Sequence, residues 1–447
     1  MEQDYDRVCE PAGPLQATAN ATANRMLDGD RGCHDWYRFV LSFPPHLVRE
    51  YIDRFGLTSR DTVLDPFCGT GTTLVECKKQ GIASVGLEAN PLACFAARTK
   101  ANWTPDPDAL LSHARAIAAA TLETLAQDGV EDVQALFRPS PMPKNMRTLT
   151  REQQSLLLKD SISPLPLHKT LVLRDEIQSR FDVQHCDHEL LALAKALVFS
   201  ISNLHFGPEV GVRNIKTDIP VVAPWLQEVR NTSDDLCALQ SVSHGPASVL
   251  LGDSREILKE IEDNSISAVI TSPPYPNEKD YTRTTRLESV VLGFISSRED
   301  LRAIKRNLVR SNTRGVYKDD IDDQWALSFQ RVHDLADEIE RRRVELGKTS
   351  GFERTYNRVV RLYFGGMARH LASIRRVLKP GARLAYVVGD QASYLRVMIR
   401  TGEIMSDIAA SLGFQVESRD LFRTRIATAT KEWLREEVVV LRWPGEG

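Results

Sequence analysis

The stretch from Thr62 to Gly81 constrains this chain most. Thr62-Val63-Leu64 reads as a short buried strand, Asp65-Pro66-Phe67-Cys68-Gly69-Thr70-Gly71 as a glycine-bearing loop, and Thr72 to Gln80 as a helix stopped at Gly81. Ser84-Val85-Gly86-Leu87-Glu88 supplies a second strand, and Asn90-Pro91 an N-cap and first-turn proline for a helix running toward Trp103. Such alternation predicts an α/β fold with a parallel sheet covered by helices on both faces.

Around this nucleus the remaining patterns divide the chain. Residues 1–33 are polar and small, with Ala17-Thr18-Ala19-Asn20-Ala21-Thr22-Ala23, and read as a flexible N-terminal tail, with order starting near His34. Pro44-Pro45 opens a helix whose Leu47, Val48, Tyr51, Ile52 and Phe55 share one face before Gly56. Residues 104–245 change character. Helical patterns over Ala109–Ala126 and Glu189–Leu204 flank an irregular, proline-bearing stretch, and the whole reads as a mostly helical insertion. Alternation resumes with Ala247–Leu251 as strand, Glu256–Ile261 as helix and Ala268-Val269-Ile270 as strand. A second helical insertion over 285–350 precedes a helix from Asn357 to Leu378, ended by Pro380-Gly381. Leu384 to Val388 is a strand and Glu403 to Leu412 a helix. Phe414–Phe422 and Glu437–Leu441 have no helix between them and predict a terminal hairpin. The sheet domain therefore spans 34–103 and 246–447.

Composition removes several classes of function. No apolar run approaches the ~20 residues of a membrane span, and the acidic start Met1-Glu2-Gln3-Asp4-Tyr5-Asp6 lacks the order of a signal peptide, which predicts a cytoplasmic protein. Seven scattered cysteines (Cys9, Cys33, Cys68, Cys77, Cys94, Cys186, Cys237) contain no C-x-x-C pair and read as reduced thiols. His185-Cys186-Asp187-His188 fits no closed zinc spacing, so no metal is expected. With a formal net charge of −3, any surface for nucleic acid must be a local basic face.

Between strand and helix, the loop from Asp65 to Gly71 brings backbone close to a ligand and aims helix-terminal N–H groups at it. It lacks the third glycine of the dinucleotide fingerprint. Glu88 ends the next strand at close to the roughly 20-residue offset of a carboxylate that grips ribose hydroxyls. Asp253, in Leu251-Gly252-Asp253-Ser254, stands where a carboxylate would accept a bond from an adenine amino group; it also suits a helix N-cap, and the two roles can coexist. Thr271-Ser272-Pro273-Pro274-Tyr275-Pro276 follows a strand as a stiff loop whose prolines remove N–H donors and leave carbonyls free as acceptors.

Together these segments resemble the amino-group DNA methyltransferases, which make N4-methylcytosine or N6-methyladenine. Asp65 to Thr73 is similar to the family's cofactor loop, Gly86 to Pro91 to its ribose motif, and Ser272 to Tyr275 to its catalytic loop. Leu378-Lys379-Pro380-Gly381 and Val388-Gly389-Asp390 resemble its later strand region. The likeness covers about 34–103, 247–290 and 357–443 and leaves the insertions unmatched. It implies a Rossmann-like sheet of seven strands with the last antiparallel, S-adenosylmethionine as cofactor, and duplex DNA as partner, with a cognate restriction or defence-system protein left open. The cofactor residues it implies are Asp65, Phe67, Gly69, Gly71, Thr72, Glu88, Asn90 and Asp253. Ahead of the glycine loop, Trp36-Tyr37-Arg38-Phe39 to Pro45 either meets the cofactor's methionine end or is core.

The catalytic group is Ser272, Pro273, Pro274 and Tyr275. An exocyclic amine must free its lone pair from the ring before it attacks a methyl sulfonium. Acceptors from the Ser272 side chain and the Pro273 carbonyl would hold its hydrogens, with Tyr275 stacked on a base extruded from the duplex. Family members with Ser before the two prolines more often modify cytosine N4, those with Asp or Asn adenine N6. Ring-carbon chemistry would need a loop cysteine after proline, and none lies beyond Cys237. An RNA base methyltransferase and a silent DNA-binding protein of the same fold are the other readings. For DNA contact the candidates are Arg283, Arg286, Arg306, Arg310 and Arg314, within a run from Arg302 to Lys318 that has no intervening acid, together with Arg213 and Lys216 in the first insertion. A solvated helix face explains the run equally well. Target recognition falls to one of the two insertions.

Overall fold

The computed structural model describes residues 26–37, 43–133, 142–207, 209–257, 259–277, 279–426 and 431–445. Nine strands are found among them: β1 Thr62–Asp65, β2 Ala83–Glu88, β3 Leu204–Phe206, β4 Val210–Val212, β5 Ala247–Leu251, β6 Ile266–Thr271, β7 Leu378–Gly389, β8 Gln415–Ile426 and β9 Trp433–Arg442. Seven of these form one sheet in the order β5-β2-β1-β6-β7-β9-β8, while β3 and β4 pair separately. All neighbours from β5 to β7 run parallel. β9 is antiparallel to both β7 and β8, so the last strand alone is reversed.

Alternation along β7 shows how the sheet buries both faces. Leu384, Tyr386 and Val388 pack with the helices Tyr356–Ile374 and Thr401–Ser411. Ala385 and Val387 join Leu47, Val48, Tyr51 and Ile52 of the helix Pro45–Phe55 on the other side. That helix follows the predicted spacing and closes at Gly56. The first insertion leaves the sheet after the helix Pro91–Ala101 and is helical over Pro107–Gln127, Pro164–Ser179, Cys186–Ala196 and Val222–Leu239. Its core is continuous with Val75, Leu92 and Ala96 of the sheet-covering helices. No helix among the described residues is long and apolar enough to cross a membrane.

Four local expectations are corrected. The chain is fixed before residue 34: Gly32–Asp35 form a 3-10 turn with Cys33 buried, and Asp30 is held by Arg49 at 2.6 Å. The helix expected over 189–204 stops at Ala196, passes through a π turn at Leu197–Ile201, and gives way to β3, where antiparallel pairing replaces the helical bonds. Of the helix expected over 256–261, the described residues 256–257 and 259–261 lie in bends, turns and irregular chain, none of them helical. The long helix ends at Ile374; Leu378 already belongs to β7, which carries Pro380-Gly381 past a register shift, the place where a sheet accepts a residue without an N–H.

Candidate active site

Sheet order sets the two unusual loops side by side. β1 and β6 are neighbours, with Val63 beside Ala268 and Leu64 beside Val269, so the chain leaves both strands at the same end. Thr271 Oγ1 donates to Asp65 Oδ1 at 2.6 Å and ties the two exits together. Between the loops lies a cleft of about 690 Å3. Phe67, Gly69, Thr72, Glu88 and Asn90 line one side, and Ser272, Pro273, Pro274 and Tyr275 the other.

On the first side, backbone geometry accounts for the glycines. Gly71 sits at φ +86°, a conformation that strains any side chain, and a Cβ there would press on Ala97 at 3.2 Å. The turn aims the Gly69 N–H at Glu88 Oε2, 2.9 Å away, while Glu88 Oε1 accepts from the Asn90 N–H at 2.8 Å. Burial pushes the Glu88 carboxyl up to about 7 despite these two bonds. Asn90 caps the next helix by accepting from the Leu92 N–H. Phe67 stands edge-on to the His370 ring, 4.9 Å between centroids, and His370 is itself fixed between the Ser254 carbonyl and the Tyr386 hydroxyl, both at 2.7 Å.

Asp65 and Gly71 shape this wall from behind without lining the cleft. Asp65 is buried, which raises its carboxyl to about 6, and it accepts from the Phe67 N–H as well as from Thr271. Asp253 is also outside the lining, although Gly252 and Ser254 belong to it. Its carboxylate accepts from the Arg255 N–H and holds the Arg255 guanidinium at 2.9 Å, so Asp253 caps a turn and an arginine.

On the second side, Ser272 lines the cleft and its Oγ donates to the Val387 carbonyl at 3.3 Å, which leaves the hydroxyl oxygen able to accept. Tyr275 packs so closely on β7 that a Cβ on Gly389 would come within 2.9 Å of its ring. The Asn277 N–H donates to the Tyr275 carbonyl at 2.8 Å and closes the loop. Burial raises the Tyr275 hydroxyl well above its ordinary range, so it stays protonated.

The basic candidates separate into two groups. Arg310 is buried; its guanidinium is saturated by Asp320 and the carbonyls of Lys305, Leu308 and Arg306, so it has no donor left for phosphate. Arg286 turns back onto Thr282 and toward Leu156. Arg283 pairs with Glu209 at 3.1 Å at the rim, and Arg306 with Asp319 at 2.9 Å while covering the Tyr317 ring. Arg314 and Arg213 are exposed; Lys216 bonds the Ser200 carbonyl at the end of the π turn. Of the segment ahead of the glycine loop, Arg38 to Ser42 lie outside the described residues; Trp36 and Tyr37 are core, bonded to Asp235 and Glu288, while Phe43 lines the cleft. His188 meets Trp36 edge-on and reaches the Asn102 carbonyl at 3.0 Å.

Sequence reading missed the far wall. Lys279, Asp280 and Tyr281 follow Tyr275 closely enough to be suspected from position alone. Arg423 and Arg425 on β8, with Leu434 and Glu436 on β9, also line the cleft. Their spacing of two residues on each strand is the signal, since it puts both members of a pair on one face. Only the hairpin's register, Arg423 opposite Glu436 and Arg425 opposite Leu434, reveals which face meets the cleft.

Comparison with known proteins agrees with this geometry. Residues 19–98 match the profile of a DNA methylase family. The chain is 26% identical to the type II methyltransferase M.BsoBI of Geobacillus stearothermophilus, over 88% of this chain and 82% of that protein. It is 24% identical to the type II methyltransferase M.AvaI of Anabaena variabilis, over 92% and 86% respectively. A shorter likeness, 37% over 67 residues, joins it to M.MjaII of Methanocaldococcus jannaschii, over 15% of this chain and 12% of that protein. The profile covers the half of the site that holds Asp65 and Glu88, the two long likenesses run across the insertions, and the chain is thus similar to type II DNA methyltransferases over most of its length.

Proposed function

We propose that this protein methylates the exocyclic N4 amine of cytosine in duplex DNA, using S-adenosylmethionine and a base extruded into the cleft. The observation that carries this reading is that the Ser272–Tyr275 loop and the Glu88-bearing cofactor wall face each other across one cleft on adjoining strands. When bound, S-adenosylmethionine supplies an electrophilic methyl group. The residues present fit it: Glu88 offers a fixed carboxylate for ribose hydroxyls, and Phe67 an apolar ring beside them. Ser272 Oγ and the Pro273 carbonyl accept the hydrogens of the substrate amine, hold its lone pair out of conjugation and stabilise the charge that develops on nitrogen. Tyr275 stacks on the base, which a duplex would otherwise keep out of reach. Ser272 before the prolines favours cytosine over adenine. The relatives are type II methyltransferases, and a cognate restriction protein is the partner this setting supplies.

Incubation with S-adenosylmethionine labelled in its methyl group and either unmethylated duplex DNA or tRNA tests the reading. N4-methyldeoxycytidine is the expected labelled nucleoside. Label in N6-methyldeoxyadenosine would reassign the base, label in tRNA alone would overturn the substrate class, and no label would leave a silent binder.

Glu88 adds a pH dependence. Ribose hydroxyls donate to its ionised form, so S-adenosylmethionine affinity should rise about tenfold between about pH 6 and 8 around a carboxyl near 7. Isothermal titration across that range checks this, and Glu88→Gln should flatten the profile. Without ligand the sign reverses. A carboxyl raised from 4.5 to about 7 contributes stability in full below 4.5 and loses it as pH climbs through 7. A flat affinity profile in the wild-type protein would remove Glu88 from the ribose site.

A further inference from the structure

The cations lining the cleft differ in one respect, and Lys279 is the exception among them. Lys305 is paired with Asp280 at 2.8 Å, Arg310 with Asp320 at 2.7 Å, and Arg423 and Arg425 both with Glu436. Lys279 also lines the cleft, yet its ammonium makes no ion pair or hydrogen bond with any described residue. Its backbone is nevertheless fixed from two sides: its N–H donates to Asn277 Oδ1 at 2.9 Å, and its carbonyl accepts from Asn312 Nδ2 at 3.1 Å.

A long, half-buried cation is costly to hold without a partner, because burial disfavours its charged form. Arg425 and Glu436 of the β8–β9 hairpin and Glu209 line the same cleft as Lys279 and act on its charge. Lys279 stands four residues beyond Tyr275, in the same stretch of chain after β6 that carries the Ser272–Tyr275 loop. We propose that Lys279, flanked by Arg425, is the seat of one backbone phosphate of the extruded nucleotide, and that the pair of asparagines positions it for that contact. The phosphodiester completes a cation that the fold leaves open, and it fixes how far the nucleotide can swing while Tyr275 holds the base. This rests on the DNA methyltransferase reading above.

The test uses the full chain and a duplex built around the methylated site that the labelling experiment maps. Lys279→Gln should raise the KM for DNA about tenfold, as loss of one charge-assisted bond does, and lower the salt slope of DNA binding by about one. Its S-adenosylmethionine affinity should match the wild type, which also reports that the variant is folded. Lys279→Arg should restore most of the KM. A neutral methylphosphonate in place of the phosphate beside the target should weaken the wild type to the same extent and leave Lys279→Gln unaffected. An unchanged KM and salt slope would overturn the assignment. So would a loss confined to cofactor affinity, which would make the cofactor's carboxylate the partner, or a loss confined to kcat with no phosphonate effect, which would make it the base. If the wild-type chain methylates DNA, any of these sinks the phosphate seat alone; if it labels no DNA, both readings fall.

Discussion

Tyr275→Ala is expected to lower methyl transfer about 10- to 100-fold, the worth of one base–aromatic stack, while S-adenosylmethionine binds as before. The reason is positional. Tyr275 is carried on the loop that follows β6, seated against Gly389 of β7, whereas Glu88 ends β2 and enters the same cleft from a different strand. Its removal opens space where the extruded base should rest and touches nothing on the cofactor wall. Tyr275→Phe keeps the ring and should retain turnover within a few-fold. Gly389→Ala gives a finer probe, since its added methyl would come within 2.9 Å of the ring and must tilt it. Steady-state rates with labelled cofactor, set beside cofactor titrations, separate the two walls. Normal turnover in Tyr275→Ala would end the stacking role.

The second large effect is on stability. Arg255 is buried and binds Asp253, Asp322 and the Arg306 carbonyl, while Asp322 also accepts from Arg369 at 3.0 Å. Asp322→Ala removes one of the two carboxylates that offset a buried guanidinium, and a broken buried pair costs about 3–5 kcal/mol. The junction has no slack to absorb the change, because the turn Asp322–Ala326 packs directly on the backbone of Gly365. Urea titration should show the loss, with Asp322→Asn recovering part of it. A loss under about 1 kcal/mol would mean that Asp253 alone suffices for Arg255. The same network links Ser254 at the cofactor wall to the Arg306–Arg310 segment, so cofactor affinity should fall with stability.

How much of this was readable in the residues depends on the range of the interaction. The wall that carries Glu88 was legible because strand, glycine turn, helix and second strand are consecutive, and Glu88 reaches Gly69 and Asn90 within that span. The charge pattern misled for the opposite reason. The run from Arg302 to Lys318 contains no acid, yet Asp319 and Asp320 just beyond it neutralise Arg306 and Arg310, and Asp280, far earlier in the chain, neutralises Lys305. Asp253 was placed correctly at a strand end, but the arginine two residues on turns its carboxylate away. Arg423, Arg425 and Glu436 could not be assigned to the cleft without the hairpin's register, which two shifts along β8 decide. Pro380-Gly381 suggested a helix stop, since nothing local distinguishes that from a bulge.

The two ends of the first insertion meet. Gln240 Nε2 bonds the carbonyls of Trp103 and Pro105, and the Trp103 ring stands edge-on to His244 at 5.4 Å. Closing a segment whose ends already touch adds little entropy with length, so this region is grafted on the sheet through a single stem. The region can therefore be exchanged or lengthened without disturbing the sheet beneath, provided the exchanged piece preserves the surface that covers Val75, Leu92 and Ala96. For anyone building chimaeras, the crossover points lie at that stem, beside Trp103 and His244.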